Sequence, residues 1–70
     1  MELSTLAIGT IITFTSPSHS PVSYVVLNEM KSKRFGAFTY VMNLETRTIE
    51  PKNSNTKIQG QWSVTQEVEL

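Results

Sequence analysis

Ile58-Gln59-Gly60-Gln61-Trp62-Ser63-Val64-Thr65 decides the fold class of this chain. Ile58, Gly60, Trp62 and Val64, with Val68 beyond, fall at even spacing, and Gln59, Gln61, Ser63 and Thr65 stand between them. Side chains of a β-strand alternate between two faces, so this pattern predicts a half-buried strand, with Gly60 marking a bulge or bend.

The rest of the chain reads the same way. Ile12 and Phe14 alternate with Thr13 and Thr15, which predicts a strand over 9–15. Ser16-Pro17-Ser18-His19-Ser20-Pro21 reads as a loop, because proline lacks the ladder N–H and serine competes for backbone bonds. Over 22–29 both faces are partly apolar, as in a central or sharply bent strand. Residues 30–36 read as polar and basic, with Gly36 as the turn residue, and Phe35 could begin the next strand. A third strand is expected over 37–43 with Phe38, Tyr40 and Met42 as its core stripe. A tight reversal then leads to a fourth over 46–50, and residues 51–57 read as a second loop.

Val, Ile and Thr number six, five and nine, against two alanines, Ala7 and Ala37. β-branched side chains suit a pleated surface and Ala is the best helix former, so a helical bundle is excluded. Residues 1–7 could form one helical turn. Five short strands separated by turn signals predict an all-β, five-stranded antiparallel barrel forming one domain over 1–70. The order of long first loop, mid-chain loop, tight hairpin and final loop resembles small SH3-like barrels in layout. The acidic–aromatic motif and paired tryptophans of peptide-binding SH3 domains are absent, so no family is assigned. An OB-like barrel is the alternative. The expected core is Ile8, Ile12, Phe14, Val26, Phe38, Tyr40, Met42, Ile49, Trp62 and Val64, with Tyr24 as an addition.

A chain of 70 residues buries only about 60% of the surface its unfolded form exposes, so stability of a few kcal/mol is expected. Cysteine is absent, which removes disulfides and thiolate metal sites. No apolar run approaches the roughly 18 residues of a membrane span. Residues 1–7 lack the basic and long apolar regions of a signal peptide. A cytoplasmic protein without a membrane partner is expected. From the start at Met1, with no tag or fusion scar, a complete small gene product is expected.

The chemical inventory argues against an enzyme. There is one histidine, His19, in the serine- and proline-rich loop, and all six acids are glutamates. A Ser–His pair needs a third group to hold the base, and none can be named. No phosphate-binding glycine loop, zinc spacing or calcium loop occurs, so no cofactor or metal is expected.

Charge order is more informative. The net charge is zero. Residues 1–30 carry Glu2 and Glu29, residues 31–57 carry all six bases and two acids, and residues 58–70 carry Glu67 and Glu69. A +4 centre therefore lies between two −2 flanks. Its densest point is Lys31-Ser32-Lys33-Arg34, followed by Phe35.

Lys31, Lys33, Arg34 and Phe35 are the candidate contact residues of a non-catalytic protein-interaction module. Aromatic and methionine side chains anchor interfaces, and a basic block steers toward an acidic protein partner. Unpaired strand edges make a homodimer a further expectation. The alternative is binding of RNA or single-stranded DNA by loop 31–35, with cations on phosphates and rings on bases. Neutral net charge weighs against it. Small stand-alone barrels without chemistry are common among accessory and regulatory proteins, including those of phages and mobile elements; that is an association of fold, not of site.

Overall fold

A computed structural model describes residues 1–68; Glu69, counted above in the acidic flank, lies outside them. One 3-10 turn, Leu3–Thr5, precedes five strands: β1 (Ile11–Ser16), β2 (His19–Ser32), β3 (Gly36–Asn43), β4 (Ile49–Asn53) and β5 (Trp62–Gln66). All pairings are antiparallel, in one sheet of order β4-β3-β2-β1-β5. The all-β, five-stranded class is as expected. The sheet is not closed: β4 and β5 are its two edges.

Register decides which side chains form the core. Ile12 sits opposite both Tyr24 and Val64, Phe14 opposite Val22 and Trp62, and Val26 opposite Val41. Ile12, Val26 and Leu3 are fully buried together, with Leu6, Tyr24, Ile58, Trp62 and Val64 packed against them. Phe14 tilts onto Trp62, ring centroids 5.0 Å apart. Tilted aromatic pairs add to plain area burial because ring edges and faces carry opposite partial charge.

Where the sheet stays open, the start of the chain fills the gap. The Leu3 N–H donates to the Thr56 carbonyl (2.9 Å), the Ser4 N–H to Ser54 (3.0 Å) and the Ile58 N–H to Met1 (2.8 Å). The single 3-10 turn over Leu3–Thr5 places Leu3 in the core.

Several expectations need correction. Phe38, Tyr40 and Met42 are not the core stripe of β3; Thr39 and Val41 are buried instead. The segment returning at Ser54 lies against that face of β3: Ser54 Oγ and Thr39 Oγ1 are 2.9 Å apart. Side chains of Thr and Val size fit such a gap, and aromatic rings do not. Ile8 and Ile49, 64% and 61% exposed, also leave the core. Ile8 precedes β1, and Ile49 pairs with Met42 on the outer face.

The loop expected at 16–21 shrinks to a two-residue reversal, because Ser16 Oγ accepts the Ser18 N–H (3.3 Å) and β2 begins at His19. Pro21 is tolerated there since β3 reaches β2 only from Tyr24 onward. The fourth strand is Ile49–Asn53 rather than 46–50. Pro51 can lie within it because β4 is an edge strand, where a missing N–H breaks no ladder. Thr46 and Arg47 instead belong to the reversal, in which Asn43 Oδ1 accepts the N–H groups of Glu45 and Thr46 (2.9 and 3.2 Å).

The buried Thr39–Ser54 hydroxyl pair gives a first test. Ser54→Ala leaves the Thr39 hydroxyl buried without this partner, and the expected loss is about 1–3 kcal/mol. Adding Thr39→Val should recover part of it. Urea midpoints measure both, and an unchanged midpoint for Ser54→Ala would count against the pair.

Candidate functional site

The Lys31–Phe35 segment forms the tip of the β2–β3 hairpin. Lys31 stands opposite Ala37 and Ser32 opposite Gly36, so Lys33, Arg34 and Phe35 make the reversal. Its shape follows from two residues. Ser32 Oγ accepts the N–H groups of Arg34 (3.2 Å) and Phe35 (3.1 Å). This is a local side-chain turn that satisfies both donors. Gly36 adopts a φ of 85°. A residue bearing a side chain rarely tolerates that conformation.

This turn holds Phe35 out of the core, 68% exposed. The Arg34 guanidinium carbon lies 5.3 Å from the Phe35 ring centroid. That separation is within reach of a cation–π contact. Lys31 and Lys33 are exposed beside it. Met30, just before the tip, is also exposed; its sulfur accepts the Tyr40 hydroxyl at 3.8 Å and its backbone pairs with Phe38. The four sequence-predicted contact residues are thus adjacent on a well-defined turn.

The remaining bases go elsewhere. Arg47 lies in the opposite hairpin, Lys57 bonds Glu2 (3.2 Å), and Lys52 projects over the core face of the sheet. Among the described residues Lys57–Glu2 is the one ion pair, so the three tip cations have none. The basic centre of the sequence therefore divides in space, and the tip keeps its three adjacent cations.

Composition gave no hint of a second cluster. Lys52 Nζ lies 5.5 Å from the Tyr24 ring centroid and 6.0 Å from that of Trp62, and the two rings are 5.6 Å apart at 48°. Lys52 belongs to β4 and Trp62 to β5, so this side-chain contact crosses the open side between the sheet edges. Burial raises the Tyr24 phenol above its ordinary range, and the nearby Glu50 carboxylate adds to the effect. The phenol is consequently neutral at physiological pH. Steeply tilted rings with a carboxylate beside them make a poor platform for successive bases. An edge strand that tolerates proline was the one signal that could have placed Lys52 on this face.

No family model matches the chain, and neither a curated protein nor a solved structure does. His19 is exposed opposite Ser16, at the far hairpin. Among the described residues no three of His and Glu converge as metal ligands. Among them too, no helix is long and apolar enough to cross a membrane.

Proposed function

We propose that this chain is a non-catalytic protein-interaction module that grips an acidic partner segment with the β2–β3 hairpin tip. One observation carries the reading: an aromatic ring held out of the core by a hydrogen-bonded turn, with three cations beside it that have no ion pair among the described residues. Exposed aromatics and arginines are the side chains that concentrate binding energy at interfaces. Lysines around them raise the encounter rate with an acidic surface. A four-stranded meander whose fifth strand returns to the first, with the chain start filling the open side, supports an SH3-like barrel layout. We read the protein as a small accessory or regulatory factor whose working part is this surface.

The test uses the partner recovered by the intact chain. Reversing Lys31, Lys33 and Arg34 together to glutamate should weaken binding on the order of 100-fold, and Phe35→Ala about tenfold, measured by calorimetry. All four side chains are exposed, so the fold should persist. Affinity unchanged by the triple reversal sinks the site. Binding of RNA or single-stranded DNA oligomers at low salt, falling linearly in a log–log salt plot, would replace the protein partner with a nucleic acid.

A further inference from the structure

The cluster on the open side of the sheet has the parts of a cation-binding site. Three rings run in a row across β1, β5 and β2: Phe14 against Trp62 (5.0 Å between centroids) and Trp62 against Tyr24 (5.6 Å). The last two already share one cation, with Lys52 Nζ 5.5 Å from the Tyr24 centroid and 6.0 Å from that of Trp62. Ring faces carry negative partial charge, so a cation within about 6 Å is attracted to both. Glu50 lies two positions before Lys52 on β4 and shares its face, since their cross-strand neighbours Val41 and Thr39 are both buried. Burial, and after it the Glu50 carboxylate, raises the Tyr24 phenol above its ordinary range, which places that carboxylate close to the rings. Tyr24, Glu50, Lys52 and Trp62 are all half-buried, so the cluster is partly screened yet open to solvent.

The position of the Lys52 ammonium is the telling point. Glu50 is its neighbour on the same face, yet no ion pair joins them; among the described residues the one such pair is Lys57–Glu2. The ammonium lies over the ring faces instead. We propose that this cluster is a site for a methylated or quaternary ammonium group, and that Lys52 fills it as a resident plug until such a ligand displaces it.

Two properties select that ligand class. A primary ammonium is compact and strongly hydrated, so holding it against rings costs hydration. A trimethylammonium group has no N–H to desolvate, and it buries methyl groups against the rings. Lys52 has a flexible stem and can return its charge to water. Once it leaves, Glu50 is the one ionised group of the cluster, and it attracts a cation. An anionic ligand would be repelled by the same carboxylate. The same chemistry is carried by a free quaternary amine and by a trimethylated lysine side chain, and the test separates them. The site is independent of the hairpin tip, none of whose residues contributes to it.

Trp62 is the single tryptophan, so its fluorescence reports on the site. The full chain is titrated with tetramethylammonium chloride, choline chloride and a short peptide carrying a trimethyllysine. Sodium chloride and the unmethylated peptide are the blanks. A saturable change at millimolar concentration is expected for the methylated probes alone, as suits a small cation in a half-open site. A trimethyllysine peptide that binds more tightly than tetramethylammonium assigns the ligand to a protein side chain; otherwise it is a free amine. Lys52→Gln should tighten tetramethylammonium about tenfold, since no resident cation has to leave first. Glu50→Gln should weaken it about threefold. Circular dichroism checks that both variants are folded. Proton NMR of the unaltered protein needs no substitution: ring currents shift the Lys52 side-chain methylene signals upfield, and ligand should return them toward the positions of free lysine. No saturation with any methylated probe, Lys52 signals unmoved by ligand, Lys52→Gln binding no tighter or Glu50→Gln binding no weaker each overturns the inference.

Discussion

Replacing Ile12 with alanine should leave most of the protein unfolded at room temperature. Ile12 is 1% exposed and stands opposite residues of both neighbouring strands, Tyr24 on β2 and Val64 on β5. Truncating it removes apolar contacts to both and opens a cavity beside Leu3 and Val26. Such substitutions cost about 2–5 kcal/mol. A domain of this size holds only a few kcal/mol in total, so the loss consumes most of it. Ile8→Ala and Ile49→Ala remove equal volume from exposed positions and should cost less than about 0.5 kcal/mol. Denaturant titrations at low micromolar concentration, followed by the fluorescence of the single tryptophan Trp62, compare the three directly. Similar midpoints for Ile12→Ala and Ile49→Ala would refute the assignment of core and outer face.

Leu3→Ala should be nearly as damaging, by about 2–4 kcal/mol. Nothing in residues 1–7 has strand or helix periodicity, and in an ordinary domain the first few residues can be trimmed cheaply. Here Leu3 is 1% exposed and closes the core where the sheet is open. Its backbone N–H is bound to Thr56, and the flanking residues tie into Ser54, Lys57 and Ile58. Losing the side chain weakens the anchor of that segment as well as the core. Hydrogen exchange at Leu3, Ser4 and Ile58 should therefore accelerate together with the global loss of stability. Native-like protection of these amides in Leu3→Ala would show that the backbone ladder, not the side chain, holds the chain start.

Those two residues also show what the sequence could and could not disclose. Ile12 lies in an alternating run with one apolar phase, so its burial was legible. Strand β3 has apolar residues in both phases, and bulk alone favoured Phe38, Tyr40 and Met42. The choice was made by pairing with Val26 and by the narrow approach of Ser54, which are long-range facts. Pro51 was read as a breaker because its status depends on whether the strand has a neighbour on that side. Leu3 has no local pattern at all; only its contact with the far end of the chain explains it. The hairpin tip was legible because its four residues fall within the five positions 31–35 and a turn glycine, Gly36, follows them. The Lys52, Tyr24 and Trp62 cluster was not, since its members come from three strands.

The same long-range closure has a temporal consequence. During synthesis β1 waits for β5, and Leu3 waits for the segment around Thr56, more than fifty positions later. A nascent chain that stops short of Trp62 has hairpins but lacks both the second partner of Ile12 and the ring against which Phe14 and Tyr24 pack. Chains dominated by distant pairings fold in milliseconds to seconds, and isolated hairpins are marginal in water. The sheet therefore forms only once the segment through Trp62 has been made, and until then its apolar strand residues are open to aggregation.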